Sequence, residues 1–335
     1  MLMPISRRRL FAVTAALPLV NIGRARASGL NYKVALNLPG THPMGIRAAE
    51  ACTRIAEATG GRVAMQTYPA SQLGSDTDTL AKLRSGEVEF FLLSGSVLSS
   101  VVPLASISNL GFVFKTYNQV WSAMDGKFGA YIRNDISKYG MFAVGRIWNN
   151  GFRQITSSTK PIMSPDDLRG FKLRIPVSPL WTSMFTKFGT LPASLDLNKA
   201  YAALQEHAVD GQENPLALIQ ATRFYEVQAY CSLSRHIWDG YWVLVNEAVW
   251  RGLPSQTRDI IEHELDRSGQ DERDDLARAD PGLRGDLALT GMKFNAVDTA
   301  PFQGALQKAG FYEEWRKTYG DVPWRLLENH VGPLA

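Results

Sequence analysis

Two arginines and an asparagine carry the chemistry legible in this chain, and that chemistry is the holding of an anion. Arg174 lies inside the short apolar run 171–176 (FKLRIP), Arg153 lies in GFRQITSSTKPI, which begins at Gly151, and Asn214 stands before Pro215 in AVDGQENP. A guanidinium among Phe171, Leu173 and Ile175 is partly desolvated, which is costly unless an opposite charge answers it. Its planar fork matches a carboxylate bidentately, so it orients the anion as well as attracting it. Arg153 supplies a second set of donors, and the Asn214 amide donates to one ligand oxygen. A blander reading pairs Arg174 internally with Asp167 or Asp210, and spacing alone leaves the two readings level.

Catalytic constellations are missing from the sequence. There is no GxSxG, HExxH, CxxC or GxGxxG, and His42, His207, His236, His263 and His330 show no metal-ligand spacing. Two arginines and an asparagine bind and orient but are poor movers of protons. The reading is therefore a binding protein, not an enzyme, with no cofactor and no metal.

These residues need elements to position them. The chain has 335 residues, 45% hydrophobic and 20% charged, enough for two lobes with their own cores. Apolar alternation predicts strands over 32–38, 62–68 and 88–93, and helices over 43–59 and 76–85 stopped by Gly60-Gly61 and Gly86. This β–α–β–α–β order predicts an α/β fold with mostly parallel sheets flanked by helices. Helices over 117–124 and 131–138 and a strand over 141–148 complete a first lobe, 28–150 plus about 240–275. The second lobe, 151–239 plus about 276–335, has strands over 152–157, 171–176 and 191–196. Its helices are predicted over 178–188 and 198–206, and Asn214 is placed in a turn. The stretch 231–245 reads as a long crossing strand, and no linker rich in Gly or Ser intervenes. The lobes are thus joined by crossing strands and by a long helix from Pro254 to about 279.

The net charge of +4 and the pI near 9.0 point at first to a polyanion. Residues 1–27 hold five arginines and no acid, and removing these five takes +4 to −1. Nucleic acid is dropped as a partner. The same 27 residues read as an export signal peptide: a twin-arginine-like Ser6-Arg7-Arg8-Arg9, an apolar run over 10–22 and a small-x-small site at Ala25-Arg26-Ala27. The apolar run is too short, and too interrupted by Pro18 and Asn21, for a membrane anchor. The mature chain is expected in the periplasm. Cys52 and Cys231 are expected as buried free thiols, ahead of a disulfide.

GFRQITSSTKPI, FKLRIP and YAALQEHAVDGQENP together resemble the solute-binding proteins of tripartite ATP-independent periplasmic (TRAP) transporters, of the dicarboxylate-binding type. YPASQLGSD and LRSGEVEFFLLS resemble their N-terminal lobe, and the similarity runs over about 32–270. The resemblance implies a two-lobed periplasmic binding protein-like fold (type II). It also implies a small organic carboxylate trapped between the lobes and delivered, by a monomer, to integral membrane subunits. By the same resemblance Arg174 holds the carboxylate, Arg153 assists, Asn214 completes the clamp, and Asn37 makes a first-lobe contact.

Gln72, Asp76 and Ser94 sit at strand-to-helix crevices, where open α/β sheets bind ligands, with turn and capping roles equally open. Trp148 and Trp238, with Trp181 and Trp242, either wall the pocket or fill the core. Three features depart from the family pattern. Asn198-Lys199 replaces a Ser-Glu pair, His207 stands where glycine is frequent, and Pro281-Gly282 predicts a break in the bracing helix. A sensory receptor feeding a signalling kinase, or a periplasmic enzyme acting on a carboxylate, are the alternative functions.

Overall fold

The alternating residues at the start of the chain fold as β1 (Leu30–Leu36), α1 (Pro43–Ala58), β2 (Val63–Tyr68), α2 (Asp76–Ser85), β3 (Phe90–Ser94) and the short α3 (Gly95–Leu98). The computed structural model describes residues 29–334, and the expected leader at 1–27 falls outside them. α2 starts where sequence chemistry places it. The Ser75 hydroxyl accepts from the Asp78 amide, Asp76 and Asp78 face the helix N-terminus, and Gly86 ends the helix at φ 83°. β1 pairs in parallel with both β2 and β3.

Next come α4 (Tyr117–Met124), α5 (Lys127–Ile136), β4 (Met141–Ala143) and β5 (Trp148–Phe152). The helix expected at 131–138 begins earlier, capped by Gly126. The single strand expected over 141–148 is two strands. Gly145 turns the chain at φ 65°, and a Cβ there would lie 2.3 Å from Asp266 Oδ1.

The second sheet is built from β6 (Gln154–Ser157), β7 (Lys172–Ile175), α6 (Pro179–Lys187), β8 (Leu191–Ser194), α7 (Leu197–Gln205), β9 (Gly211–Asn214), α8 (Leu216–Ala221) and β10 (Tyr230–Leu233). Its strand order is β12-β10-β6-β9-β7-β8, with β12 arriving from the tail. The Asn214 segment, expected as a turn, is instead an inner strand, antiparallel to β6 and parallel to β7. Two residues make this fit. The Asp210 carboxylate accepts from the Lys172 amide at 2.8 Å and sets the register. Gly211 lets β9 lie close to a neighbouring backbone and a ring: a Cβ there would sit 2.1 Å from the Thr156 carbonyl and 2.8 Å from the Phe171 ring. Gly211→Ala is accordingly expected to destabilise the fold by about 3 kcal/mol. A urea titration checks this, and a loss below about 1 kcal/mol would mean that β9 shifts freely.

β11 (Trp238–Asn246) carries the chain back to the first sheet, antiparallel to β3, β4 and β5. Both sheets are therefore mixed, with parallel βαβ strands and antiparallel pairings in each. The antiparallel pairings belong to the crossing segments: β6, which follows β5 into the second sheet, runs against β9 and β10, and β11 runs against β3 in the first. The register of β11 slips between Asp239 and Gly240. Gly240 has no room for a side chain, because its Cβ would lie 2.5 Å from the Trp238 ring.

α9 (Glu247–Gly252) and α10 (Ser255–Leu289) follow, then β12 (Lys293–Ala296), α11 (Ala300–Lys308), α12 (Phe311–Tyr319) and α13 (Asp321–Val331). α10 does not break at Pro281-Gly282. Pro281 faces solvent, where the freed carbonyl one turn back meets water, while Leu276, Leu283 and Leu287 keep one buried stripe in phase across it. The helix packs on α1 and β5 in the first lobe and on α8 in the second, so it braces both. Arg47–Asp275 and Arg54–Glu264 ion pairs tie it to α1. The tail touches both lobes as well: α11 and α12 pack on α6, and α13 packs on α4 and α5. Cys52 and Cys231 are both buried and unpaired, and burial pushes each thiol up to about 12.

Candidate functional site

The period of β7 decides where Arg174 points. Leu173 and Ile175 enter the core, and Arg174 between them takes the opposite face. Gln212 is its partner on β9, and Asn214, two residues along, shares that face. Asn214 Nδ2 donates to Gln212 Oε1 at 2.5 Å.

This face looks into a small, narrow cavity of about 10 Å³ between the two sheets. Asn37, Asp76, Ser94 and Tyr241 line it from the first lobe, and Arg174, Pro176 and Asn214 from the second. Arg153 and Asp239 form its floor, on the segments that cross between lobes, and Val97, Leu197 and Leu218 add apolar wall. Hydrogen bonds tie the first turn of α2 to the residue that precedes α7. The Asp196 carboxylate, at the N-terminus of α7, accepts from the Thr77 hydroxyl at 3.1 Å and the Thr77 amide at 3.4 Å.

Arg174 is 1% exposed. Its Nε and Nη2 both donate to the Leu195 carbonyl, at 3.0 and 2.6 Å, while Nη1 is buried and makes no hydrogen bond. Neither acid proposed as an internal partner reaches it. Asp167 accepts from the Met163 and Ser164 amides, and Asp210 from Lys172. Burial lowers the Arg174 pKa to about 10, with Glu213 and Asp76 opposing the shift and Arg153 adding to it. At neutral pH the group stays cationic, at a solvation cost of roughly 3 kcal/mol.

Arg153 is equally buried and in the opposite situation. Its Nε and Nη2 reach the two Glu213 carboxylate oxygens at 2.5 and 2.8 Å, and Nη1 reaches Asp239 Oδ2 at 3.2 Å. Nη2 also donates to Asn214 Oδ1 at 2.7 Å, which turns the Asn214 amide nitrogen toward Gln212. The guanidinium lies 4.7 Å from the Trp181 ring centroid. Burial works against this charge, but the Glu213 and Asp239 carboxylates outweigh it and raise the pKa above the ordinary arginine value. Glu213 is held correspondingly low: burial raises its pKa, and Arg153 with His236 more than reverses that. His236 Nε2 lies 3.1 Å from Glu213, yet burial keeps its own pKa below normal. Arg153 is thus matched inside the protein, and Arg174 is left open.

On the first-lobe side, Asn37 Nδ2 donates to Asp76 Oδ2 at 2.9 Å, and the Tyr241 hydroxyl donates to Asn37 Oδ1 at 3.1 Å. Asp76 Oδ1 is buried, and the Leu197 amide at the N-terminus of α7 faces the carboxyl group. Burial raises the Asp76 pKa to about 6 and Asp196 pushes the same way, while Asn37, Arg174 and the Leu197 amide oppose. The Ser94 hydroxyl donates to Asp239 Oδ1 at 2.7 Å.

A pH dependence follows from Asp76. With its folded pKa near 6 and an ordinary value of 3.8, the folded state binds more protons between those limits. Its contribution to stability is therefore fully favourable at the acid end and is lost as pH rises through 6. Relative to Asp76→Asn, the empty wild-type protein should lose on the order of 3 kcal/mol between pH 4 and pH 7. Parallel urea titrations at the two pH values check this, and equal slopes for both proteins would refute a buried, destabilised carboxyl.

The structure brings Arg174, Arg153, Asn214, Asn37, Asp76 and Ser94 to one cavity. Gln72 is exposed and lies off it. Trp148 is core, packed against Gly269 of α10, and Trp238 is core too, edge-on to Phe114 and Trp121 with Nε1 on Asn149 Oδ1. Lys199 and His207 are exposed, and His207 adopts φ 54°, which explains a frequent glycine at that place. Glu213, Asp239 and Tyr241 went unnoticed in the sequence. Glu213 stands beside Asn214 in the motif, but its partner Arg153 is 60 residues away. Among the described residues no cluster of His, Cys, Asp and Glu fits a metal ion, and no helix is long and apolar enough to cross a membrane.

The family described as bacterial extracellular solute-binding protein, family 7, matches residues 34–317. A TRAP periplasmic solute-binding protein from Sulfurospirillum deleyianum, solved with bound succinate, is similar with a TM-score of 0.83 and 28% identity, over 90% of this chain and 98% of its own. One from Roseobacter denitrificans, with bound L-galactonate, gives 0.82 and 27%, over 87% and 97%. The C4-dicarboxylate-binding protein DctB of Bacillus subtilis is 32% identical over 219 residues, 65% of this chain. The match spans 62% of DctB, under two thirds of its length. The sialic acid-binding periplasmic protein SiaP of Vibrio cholerae is 28% identical over 264 residues, 79% of this chain and 81% of SiaP. With a two-lobed α/β fold, a buried cleft between the lobes and a family match over most of its length, the chain belongs to the bacterial extracellular solute-binding proteins of family 7.

Proposed function

We propose that this protein captures a small organic carboxylate between its lobes in the periplasm and, as a monomer, delivers it to the membrane subunits of a TRAP-type transporter. One observation carries the reading: Arg174 Nη1 is a buried cationic donor without an acid partner, facing a cavity that both lobes line. An anion there restores the solvation that burial removed. Arg174, with Asn214 oriented by Arg153, is the carboxylate clamp, and Asn37, Asp76 and Ser94 complete the pocket from the other lobe. Relatives with bound succinate and L-galactonate support an organic acid as the ligand class.

In this reading the lobes divide near residue 151 and again near 240, and hinge closure about β5 and β11 traps the ligand. The closed state gains contacts to both lobes that the open state lacks, and only that difference shifts the population. A thermal-shift screen of organic acids, sugars and amines tests the class. A ligand at about 100 times its dissociation constant adds about 2.7 kcal/mol, a rise of several degrees. Hits confined to sugars or amines would overturn the carboxylate reading.

A further inference from the structure

Three consecutive residues of the second lobe join Arg174 to the first lobe. The Leu195 carbonyl accepts from both Nε and Nη2 of Arg174. The Asp196 carboxylate accepts from the Thr77 hydroxyl at 3.1 Å and the Thr77 amide at 3.4 Å. The Leu197 amide faces the carboxyl group of Asp76. Asp76 and Thr77 are the first two residues of α2, so the segment 195–197 holds the open arginine on one side and the other lobe on the other.

An aspartate just before a helix ordinarily accepts from an amide in the first turn of that same helix. Asp196 occupies that position of α7, yet its side chain makes no such bond; the carboxylate, 8% exposed, caps α2 instead. On α2 the Ser75 hydroxyl serves the Asp78 amide, and the Thr77 amide is met from the second lobe. Neither Thr77 nor Asp196 lines the cavity, although their chain neighbours Asp76 and Leu197 do. The bonds therefore span the lobes at the edge of the cavity without reaching its contents.

We propose that Asp196 is the latch of the closed cleft: its carboxylate holds α2 once a ligand has engaged Arg174, slows the ligand's escape, and returns to capping α7 when the lobes part. This rests on the carboxylate reading of Arg174 given above, which supplies the ligand that closes the cleft. The exchange of one helix amide for another keeps the latch weak enough to reopen, since the cap available in the open form offsets part of what the cross-lobe bonds contribute. The like charge of Asp76 beside it limits the latch further. Such a device acts through the closure equilibrium, so it scales the affinity for every ligand by one factor and leaves the order of preference unchanged.

Calorimetry and stopped-flow binding of succinate and L-galactonate to wild type, Asp196→Ala, Thr77→Val and the double variant test this. Asp196→Ala is expected to weaken both acids by the same factor, about tenfold, through faster dissociation with association unchanged. Thr77→Val keeps the amide and loses the hydroxyl, so it should weaken both about threefold, and adding it to Asp196→Ala should bring no further loss. Asp196→Asn keeps one acceptor oxygen and should fall between wild type and Asp196→Ala. An unchanged Kd in Asp196→Ala, factors for the two acids that differ by more than about threefold, or a loss confined to association overturns the latch while the carboxylate reading stands. A double variant whose loss is the product of the two single losses does the same. If only one of the acids binds wild type, the rates and the double variant decide. If Asp196→Ala fails to fold, Thr77→Val decides by the same criteria. If wild type binds neither acid, the carboxylate reading falls and the latch with it.

Discussion

Arg174→Met is expected to abolish binding of organic acids and to leave the empty protein at least as stable as wild type. The binding loss has a direct cause. The guanidinium is the open cation of the cleft, and removing one partner of a buried, hydrogen-bonded charge pair costs about 2 to 5 kcal/mol, or about 30- to 5,000-fold in Kd. The stability outcome depends on magnitudes. Burial depresses the Arg174 pKa from the ordinary arginine value to about 10, so replacing the cation by a neutral side chain of similar length relieves roughly 3 kcal/mol. Methionine also abandons the Leu195 carbonyl, which both Nε and Nη2 serve. A buried carbonyl left without a donor costs about 1 to 3 kcal/mol. The two nearly cancel, and the net lies between no change and a gain of about 2 kcal/mol. Urea titration of the empty variant, beside calorimetry with an acid bound by wild type, separates the effects. A variant that still binds acids removes Arg174 from the clamp, and a large loss of stability would show that its charge is compensated within the fold.

Arg153→Ala should behave in the opposite way and lose about 3 to 5 kcal/mol of stability. Here the arginine is the internal partner of two acids that are themselves almost fully buried, Glu213 at 0% and Asp239 at 1% exposure. Truncation leaves both carboxylates in a low-dielectric site without the cation bonded to them. Lysine should not rescue the loss, since a single ammonium cannot bond Glu213, Asp239 and Asn214 in the directions that the guanidinium fork does. The pH dependence gives a second signature. In wild type the lowered Glu213 pKa contributes stability above the ordinary carboxylate range, lost as pH falls through the folded value. Without Arg153 both carboxylates have raised folded pKa values, so the variant regains stability as pH falls. The gap between the proteins should therefore narrow from pH 7 toward pH 4. A deficit below about 1 kcal/mol, or one independent of pH, would show that the network contributes little.

These contrasting outcomes concern two arginines that look alike in the sequence. Each sits near a strand among apolar neighbours, and nothing local separates the one that waits for an anion from the one already paired. Local chemistry was nonetheless legible in detail. The Ser75 cap and the Gly86 stop delimit α2, the alternation in KLRI points Arg174 away from the core, and the motif ending in Asn214 marks the family. Each of these depends on residues within a few positions of one another, where propensity and period act directly.

What the chain by itself determined, then, is the inventory: a two-lobed α/β fold, a binding role, and six of the residues that line the cleft. Tertiary structure alone decided their roles. Glu213 and Asp239 reach Arg153 across 60 and 86 residues, and Asn37 meets Tyr241 across 204. Those pairings exist because β9 is an inner strand and β11 runs antiparallel into the first sheet. Sheet order, strand direction and helix continuity are settled by which buried surfaces fit together over long separations, and a burial pattern along the chain does not encode which distant partner will answer a charge.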